Sequence, residues 1–157
     1  MAQKARWRIR PATPADRAFL EQLAPRLTIG IPPWRSRQAM AATVRGWLLD
    51  NLENMGADGM VFIAEDADGT PVGAATVERS AHFTGTSQGE LGELAVTETV
   101  EGLGVAALLL AAAEDWAREQ RLPFLALGTG TANSHARSFY ARHGYMEEDI
   151  RLAKALH

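Results

Sequence analysis

Cysteine is absent from this chain of 157 residues. A disulfide framework, a zinc–thiolate site and a cysteine nucleophile are therefore excluded. Long hydrophobic runs are missing too, because the most apolar stretch, residues 103–113, is about half of the ~20 residues that a membrane span needs. Neither sign of charge dominates, since 16 basic and 19 acidic residues give a formal net charge of −3. This balance disfavours a nucleic-acid partner.

The composition is that of an ordinary globular protein. With 46% hydrophobic and 22% charged residues, the chain can bury a sizeable core. Its length fits one domain over residues 1–157, and no repeat or linker divides it. The basic start is not followed by an apolar segment typical of a signal peptide, so we expect a cytoplasmic protein.

Hydrophobic periodicity predicts the order β-α-α-β-β-β-α-β-α-β, with Ser36 as the cap of the second helix and Trp47 and Trp116 in the core. Such an order is typical of a mixed α/β sheet with helices on both faces. The predicted strands are residues 7–9, 60–64, 71–78, 90–96, 124–127 and 145–152. The predicted helices are residues 14–25, 36–54, 103–119 and 134–143, and residues 80–89 are expected to form a polar loop.

A strand that runs into a glycine-rich turn before a helix is the most informative segment. The first N–H groups of a helix have no internal partner, and glycines allow a phosphate to approach them closely. The turn also matches a relaxed dinucleotide-binding pattern, G-x-G-x-x-A, from Gly102 to Ala107. That interpretation needs an acidic residue at the end of the next strand, and residues 124–128 supply none.

A second motif distinguishes these interpretations. Residues 133–145 fit the pattern N-x-x-A-x-x-x-Y-x-x-x-G-[FY], with Asn133, Tyr140 and Tyr145 at the defining positions. Together with residues 94–96 and the glycine turn, it resembles the GNAT superfamily of acyl-CoA-dependent N-acetyltransferases. The resemblance implies an α/β GNAT-like fold, with a mixed, mostly antiparallel sheet of about six or seven strands and a splayed cofactor cleft.

The resemblance also implies roles for individual residues. The pantetheine arm of acetyl-CoA would pair with Leu94, Ala95 and Val96, Asn133 would hydrogen-bond pantetheine or substrate, and Tyr140 would lie near the thioester sulfur. The pyrophosphate would bind the glycine loop, which comprises Glu101, Gly102, Leu103, Gly104, Val105 and Ala106. Glu101 departs from the family, which usually has Arg or Gln there. Its carboxylate is expected either to compete with the pyrophosphate or to turn into solvent.

Acetyl transfer to an amine requires a base for the ammonium proton and an acid for the leaving thiolate. Glu93 is the first candidate for the base and Glu90 the second. Their separation of three residues predicts opposite faces of the strand. Tyr140 is the candidate acid. The alternatives are a solvated carboxylate for Glu93, core packing for Tyr140 and a helix N-cap for Asn133.

Three residues are candidates for contact with the acceptor: Trp34, Glu90 and His82. Trp34 could instead hold its loop to the core. The acceptor is expected to be a small-molecule or peptide amine. No residue spacing suggests a metal site. The resemblance implies a homodimer as one option for the oligomeric state. The rival hypothesis is a GNAT-fold module that binds acyl-CoA without catalysis, as a sensor or partner module.

Overall fold

The structure, a computed structural model, describes residues 6–157; residues 1–5, which begin the basic segment considered for targeting, lie outside the described residues. Within residues 6–157 five strands form one sheet in the order β1-β2-β3-β4-β5. The strands are β1 (Arg8–Pro11), β2 (Gly59–Glu65), β3 (Pro71–Ala81), β4 (Ser87–Val96) and β5 (Leu125–Leu127). The helices are α1 (Arg17–Leu23), α2 (Arg37–Glu53), α3 (Val105–Glu119) and α4 (Ser134–Arg142), with 3₁₀ turns at Pro14–Asp16, Ala24–Thr28 and Glu98–Val100.

The sheet is mixed and mostly antiparallel, as predicted. Strands β1 to β4 pair antiparallel in sequence order, whereas β4 and β5 pair in parallel and are connected in sequence through helix α3. The pairing of β5 with β4 ends at Leu91, although β4 continues to Val96. In the described residues the last part of β4 therefore extends beyond β5 and has an open edge.

Helices cover both faces of the sheet. On β2, Val61 and Ile63 pack with α1 and α2, whereas Ala64 packs with α3 on the other face. This division follows from the alternation of side chains along a strand. The stripe that α3 buries recurs at helical spacing and consists of Val105, Leu109, Leu110, Ala113, Trp116 and Ala117.

The prediction of six or seven strands is wrong, because the sheet in residues 6–157 has five. Residues 145–152 were expected to form a further strand, but they pair with no other strand. Their apolar side chains Met146, Ile150 and Leu152 are exposed. Alternating hydrophobicity favours an extended chain, yet a strand also requires a hydrogen-bonding neighbour.

Other details differ from the predictions in smaller ways. Strands β3 and β4 are longer than expected and reduce the polar loop to residues 82–86. Ser36 caps α2 as predicted, since its Oγ accepts from the N–H of Ala39 at 3.0 Å. Trp116 is buried as predicted, but Trp47 is 54% exposed on α2. In residues 6–157 no helix is long and apolar enough to cross a membrane, and no group of three metal-binding side chains was found.

Candidate active site

A β-bulge interrupts β4 at the centre of the site. Between the same two register pairs, β3 contributes one residue, Thr76, and β4 contributes two, Gly92 and Glu93. The buried Thr76 hydroxyl accepts a hydrogen bond from the N–H of Glu93 at 2.9 Å and donates one to its carboxylate. A Cβ on Gly92 would lie 2.7 Å from Thr76 Oγ1, so glycine is required for this close approach. The bulge is therefore held by a specific side-chain contact rather than by turn geometry alone.

The carboxylate of Glu93 lies in a buried polar position, with a residue exposure of 6%. Its Oε2 atom accepts from Thr76 and lies 3.5 Å from the Nδ2 donor of Asn51 on α2. Burial raises the pKa of Glu93, the Thr76 hydrogen bond lowers it, and the charge of Glu78 raises it; the net pKa is above the ordinary value. A carboxylate with a raised pKa is a stronger base than a free one.

Glu90 and Glu93 face the same side of the sheet. The prediction of opposite faces is wrong because the extra residue of the bulge resets the alternation. Glu78 stands opposite Glu90 in the register, and its charge raises the pKa of both carboxyl groups. For Glu90 burial is the largest cause of the raised pKa, followed by Glu78 and Glu148. Glu78 thus adds negative charge beside both Glu90 and Glu93, and Glu148 adds it beside Glu90.

Along its open edge β4 presents backbone groups that pair with no strand in the described residues, and one of them, the carbonyl of Val96, accepts from the side chain of Arg26. The N–H of Thr97 donates to the carbonyl of Val72 at 2.8 Å. Because backbone groups alternate in direction along an antiparallel strand, those of Leu94 and Val96 point away from β3. In the described sheet no strand lies on that side of them. An extended ligand with amide groups can therefore pair here like an added strand.

The glycine loop, residues 101–106, follows directly and leads into α3. Gly102 and Gly104 have φ values of +74° and +87°, a region in which side chains cause strain. The first hydrogen bond of this helix end runs from the N–H of Leu108 to the carbonyl of Gly104. Among the described residues, the N–H groups of residues 104–107 find no acceptor, as expected at a helix start. These amides fit the phosphates of an anionic ligand.

Glu101, the residue that departs from the family pattern, is paired with a cation. Its carboxylate accepts a hydrogen bond from Nη2 of Arg26, in the Ala24–Thr28 turn. The Nε atom of the same guanidinium donates to the carbonyl of Val96 at 3.2 Å, on the open edge. The carboxylate therefore binds Arg26 rather than competing for the amides of the glycine loop. No sequence pattern predicts this contact, because the two residues are 75 positions apart.

A loop from the other side of the cleft contacts the start of α4. Asn133 caps α4 by accepting from the N–H of Ala136 at 3.1 Å, and its Nδ2 atom donates to the carbonyl of Ile29 at 3.3 Å. Gly30, with a φ of +83°, packs so closely that a Cβ would lie 2.4 Å from the Cβ of Asn133. The N-cap alternative for Asn133 is therefore realised. Trp34 follows in the same loop and is 66% exposed, so it does not anchor the loop in the core.

Tyr140 lies half-buried on α4 and packs against the core on the α3 side. Its ring meets those of Phe139 and Tyr145 edge-on, with centroids 5.2 Å and 5.7 Å away. Within residues 6–157 its hydroxyl has no hydrogen-bond partner, unlike that of Tyr145, which donates to Glu114 at 3.0 Å. Burial raises the pKa of Tyr140 to about 12, so this phenol keeps its proton at neutral pH. A protonated, unengaged hydroxyl is available to donate.

The fold brings most of the predicted residues to one edge, with two exceptions. His82 lies at the tip of the β3–β4 hairpin, opposite Thr86, where it hydrogen-bonds Thr84. From there to Glu93 the strand runs for about 20 Å, at about 3.3 Å per residue, so His82 lies far from the bulge, and its contact with the acceptor stays a prediction. Ala95 directs its backbone groups to β3 rather than to the open edge. The sequence reasoning missed Thr76, Asn51 and Arg26, which only the tertiary structure brings to the site.

Comparisons with known proteins bear on the family and the fold. The family model described as "Acetyltransferase (GNAT) family" matches residues 25–145. An aminoalkylphosphonate N-acetyltransferase of Salmonella typhimurium is 37% identical over 68 residues, which are 43% of this chain and 44% of that protein. The chain thus matches less than half the length of this curated relative.

Solved structures share the whole architecture. A putative acetyl transferase from Pyrococcus furiosus superposes with a TM-score of 0.77 at 18% identity, covering 96% of this chain and 99% of that one. The aminoglycoside N-acetyltransferase AAC(6')-Iy in complex with CoA gives a TM-score of 0.70 at 20% identity, covering 96% and 95%. At such identities these likenesses show the fold alone. Because the family model spans most of the chain, the protein belongs to the GNAT family of acetyltransferases.

Proposed function

We propose that this protein transfers the acetyl group of acetyl-CoA to a primary amine by direct attack in a ternary complex. The observation that carries the proposal is that two backbone surfaces adjoin in residues 6–157: a strand edge that pairs with no other strand, and a helix start whose N–H groups have no acceptor. The open edge at Leu94 and Val96 suits the amides of pantetheine, and the free N–H groups of residues 104–107 suit the pyrophosphate. Acetyl-CoA carries both groups in one extended molecule: the amides lie along the pantetheine arm, and the pyrophosphate follows at the end away from the thioester.

In this proposal Glu93 accepts the proton of the incoming ammonium, directly or through water. An alkyl ammonium has a pKa near that of lysine, about 10, so the nitrogen must lose a proton before it can attack. The bond from the amine nitrogen to the acetyl carbon then forms, the C–S bond of the thioester breaks, and the nitrogen releases its second proton to solvent as the amide forms. The raised pKa and the fixed position of Glu93 support this assignment, and Glu90 on the same face is the second candidate.

Tyr140 is the proposed donor of the proton that the departing thiolate takes up. Its hydroxyl is protonated and makes no hydrogen bond in the described part of the chain. It approaches the sheet from the α3 side, whereas Glu93 faces α2. Base and acid therefore lie on different sides of the sheet, so that the proton acceptor and the proton donor are separate groups.

The acceptor side carries several carboxylates. Glu78, Glu90 and Glu148 lie close enough to Glu93 or to one another to raise pKa values. Such a surface attracts a cation, which supports an amine acceptor of small-molecule or peptide origin. The proposal also includes a single domain over residues 1–157 and a cytoplasmic location. A homodimer is the proposed option for the oligomeric state.

The test is CoA thiol release from acetyl-CoA, measured with a panel of amines that ranges from small monoamines to amino sugars and peptides. An enzyme releases thiol only with an accepted amine, and the Tyr140→Phe variant releases it much more slowly. A protein that binds CoA tightly but releases no thiol with any amine would support the non-catalytic alternative. A protein that does not bind CoA would refute the proposal as a whole.

A further inference from the structure

We infer that Arg26 is a ligand for the pyrophosphate of CoA and takes the place of the basic residue that the glycine loop lacks. The inference rests on the proposed function, because it assigns a further residue to the same cofactor site. The loop itself carries Glu101 and Leu103 and no cation. The positive charge beside it comes from a distant part of the chain.

The guanidinium of Arg26 is held in place from one side. Its Nε atom donates to the carbonyl of Val96, and its side chain is only 26% exposed. This contact fixes the guanidinium at the point where the open edge of β4 meets the glycine loop. A cation held in this way loses little further conformational freedom when it binds an anion.

The other side of the guanidinium has an exchangeable partner. Nη2 donates to Glu101, whose side chain is 53% exposed, and Nη1 has no partner among the described residues. A guanidinium presents its N–H groups as a planar fork, which suits two oxygens of a phosphate. When a pyrophosphate lies on the N–H groups of residues 104–107, its charge repels the nearby carboxylate. Glu101 can then turn into solvent while Arg26 keeps its contact with Val96.

This exchange explains why an acidic residue is tolerated at the start of an anion-binding loop. In the free protein Glu101 neutralises Arg26, and in the complex the phosphates do so. Glu101 is thus a competitor of the ligand for one cation. Removing the carboxylate and removing the guanidinium should change CoA affinity in opposite directions, whereas a merely structural ion pair predicts the same direction for both.

The experiment measures dissociation constants by calorimetry for CoA and, by competition, for pantetheine, which lacks the phosphates. Arg26→Gln should weaken CoA binding about tenfold, which corresponds to about 1.4 kcal/mol, and change pantetheine binding less than twofold. Arg26→Lys should lie between, because lysine keeps the charge but not the fork. Glu101→Gln should tighten CoA binding about two- to fivefold at low salt, with a smaller gain at high salt.

Arg45→Gln is the matched control. Arg45 pairs with Glu21 on the α1–α2 surface at 3.0 Å, so its loss changes the net charge equally without touching the loop. The inference is overturned if Arg26→Gln binds CoA as Arg45→Gln does, if it weakens CoA and pantetheine equally, or if Glu101→Gln also weakens CoA. The Glu101 variant decides the question even if Arg26→Gln does not fold. Failure of the wild-type protein to bind CoA would instead refute the proposed function.

Discussion

Replacing Thr76 with valine tests whether the bulge in β4 controls the candidate base. Valine has nearly the same shape as threonine but lacks the hydroxyl that accepts from the N–H of Glu93 and donates to its carboxylate. Thr76 is 2% exposed, so water cannot easily replace the lost hydrogen bonds. The substitution therefore isolates the polar contacts from the packing.

The expected loss of stability follows from one buried N–H group left without a partner, which costs about 1–3 kcal/mol. For a domain of this size each kcal/mol lowers the melting temperature by roughly 2–4 °C. The hydroxyl also lowers the pKa of Glu93, so its removal should raise that pKa further above the ordinary value. If Glu93 is the base, the ascending limb of kcat/KM against pH should move to higher pH.

The assays are thermal unfolding and the pH profile of acetyl transfer. Thr43→Val is the matched control, because the Thr43 hydroxyl donates to the carbonyl of Ala39 on the exposed face of α2. A surface change of this kind should stay within about 0.5 kcal/mol of the wild type. Thr76→Ser should restore most of both properties. An unshifted pH profile in a folded Thr76→Val protein would show that the bulge contact does not tune the base.

Further predictions concern other parts of the site. Tyr140→Phe should lower kcat by about 10²–10⁴-fold with CoA affinity nearly unchanged, and an unchanged kcat with chemistry rate-limiting would reduce Tyr140 to a packing residue. Glu93→Gln should remove the ascending limb of the pH profile; if only Glu90→Gln does so, Glu90 is the base. Because folding raises the pKa of Glu93, the free energy of unfolding of the wild type should fall as pH rises from 4.5 through the folded pKa. Denaturant unfolding at several pH values should show that the Glu93→Gln protein lacks this pH-dependent contribution. Gly30→Ala should destabilise the protein more than Gly69→Ala in thermal unfolding. Both glycines have a φ above +80°, but only Gly30 has a neighbour within 3 Å of the new Cβ.

Local patterns predicted the parts of the fold that depend on neighbours in sequence. The helices, the hairpin and the glycine loop each follow from periodicity, capping or turn residues within a few positions. The relative faces of Glu90 and Glu93 could not be obtained in this way, because a bulge changes the alternation that the prediction assumes. Gly92 was the available sign, since a glycine inside a strand often marks a bulge.

Contacts between distant segments were beyond such reasoning. Arg26 pairs with Glu101, and Thr76 with Glu93, only because the folded sheet places these distant residues side by side. Segment 145–152 was predicted as a strand from its alternating hydrophobicity. In the described residues no neighbouring strand pairs with it, so this local pattern was not sufficient. Trp47 is a similar case, because helical spacing alone does not say how far a neighbouring layer extends.

The short β5 strand also affects the tendency of the protein to self-associate. An open strand edge is a template on which another chain can add, and folded proteins usually cover or charge such edges. In the part of the chain that the structure describes, the edge at Leu94 and Val96 has no partner except Arg26, which contacts one carbonyl. A ligand along this edge would block strand addition and would also raise the free energy of unfolding with its concentration. Resistance to aggregation and occupancy of the cleft are therefore linked, and the ligand-free protein should be the form most prone to self-association.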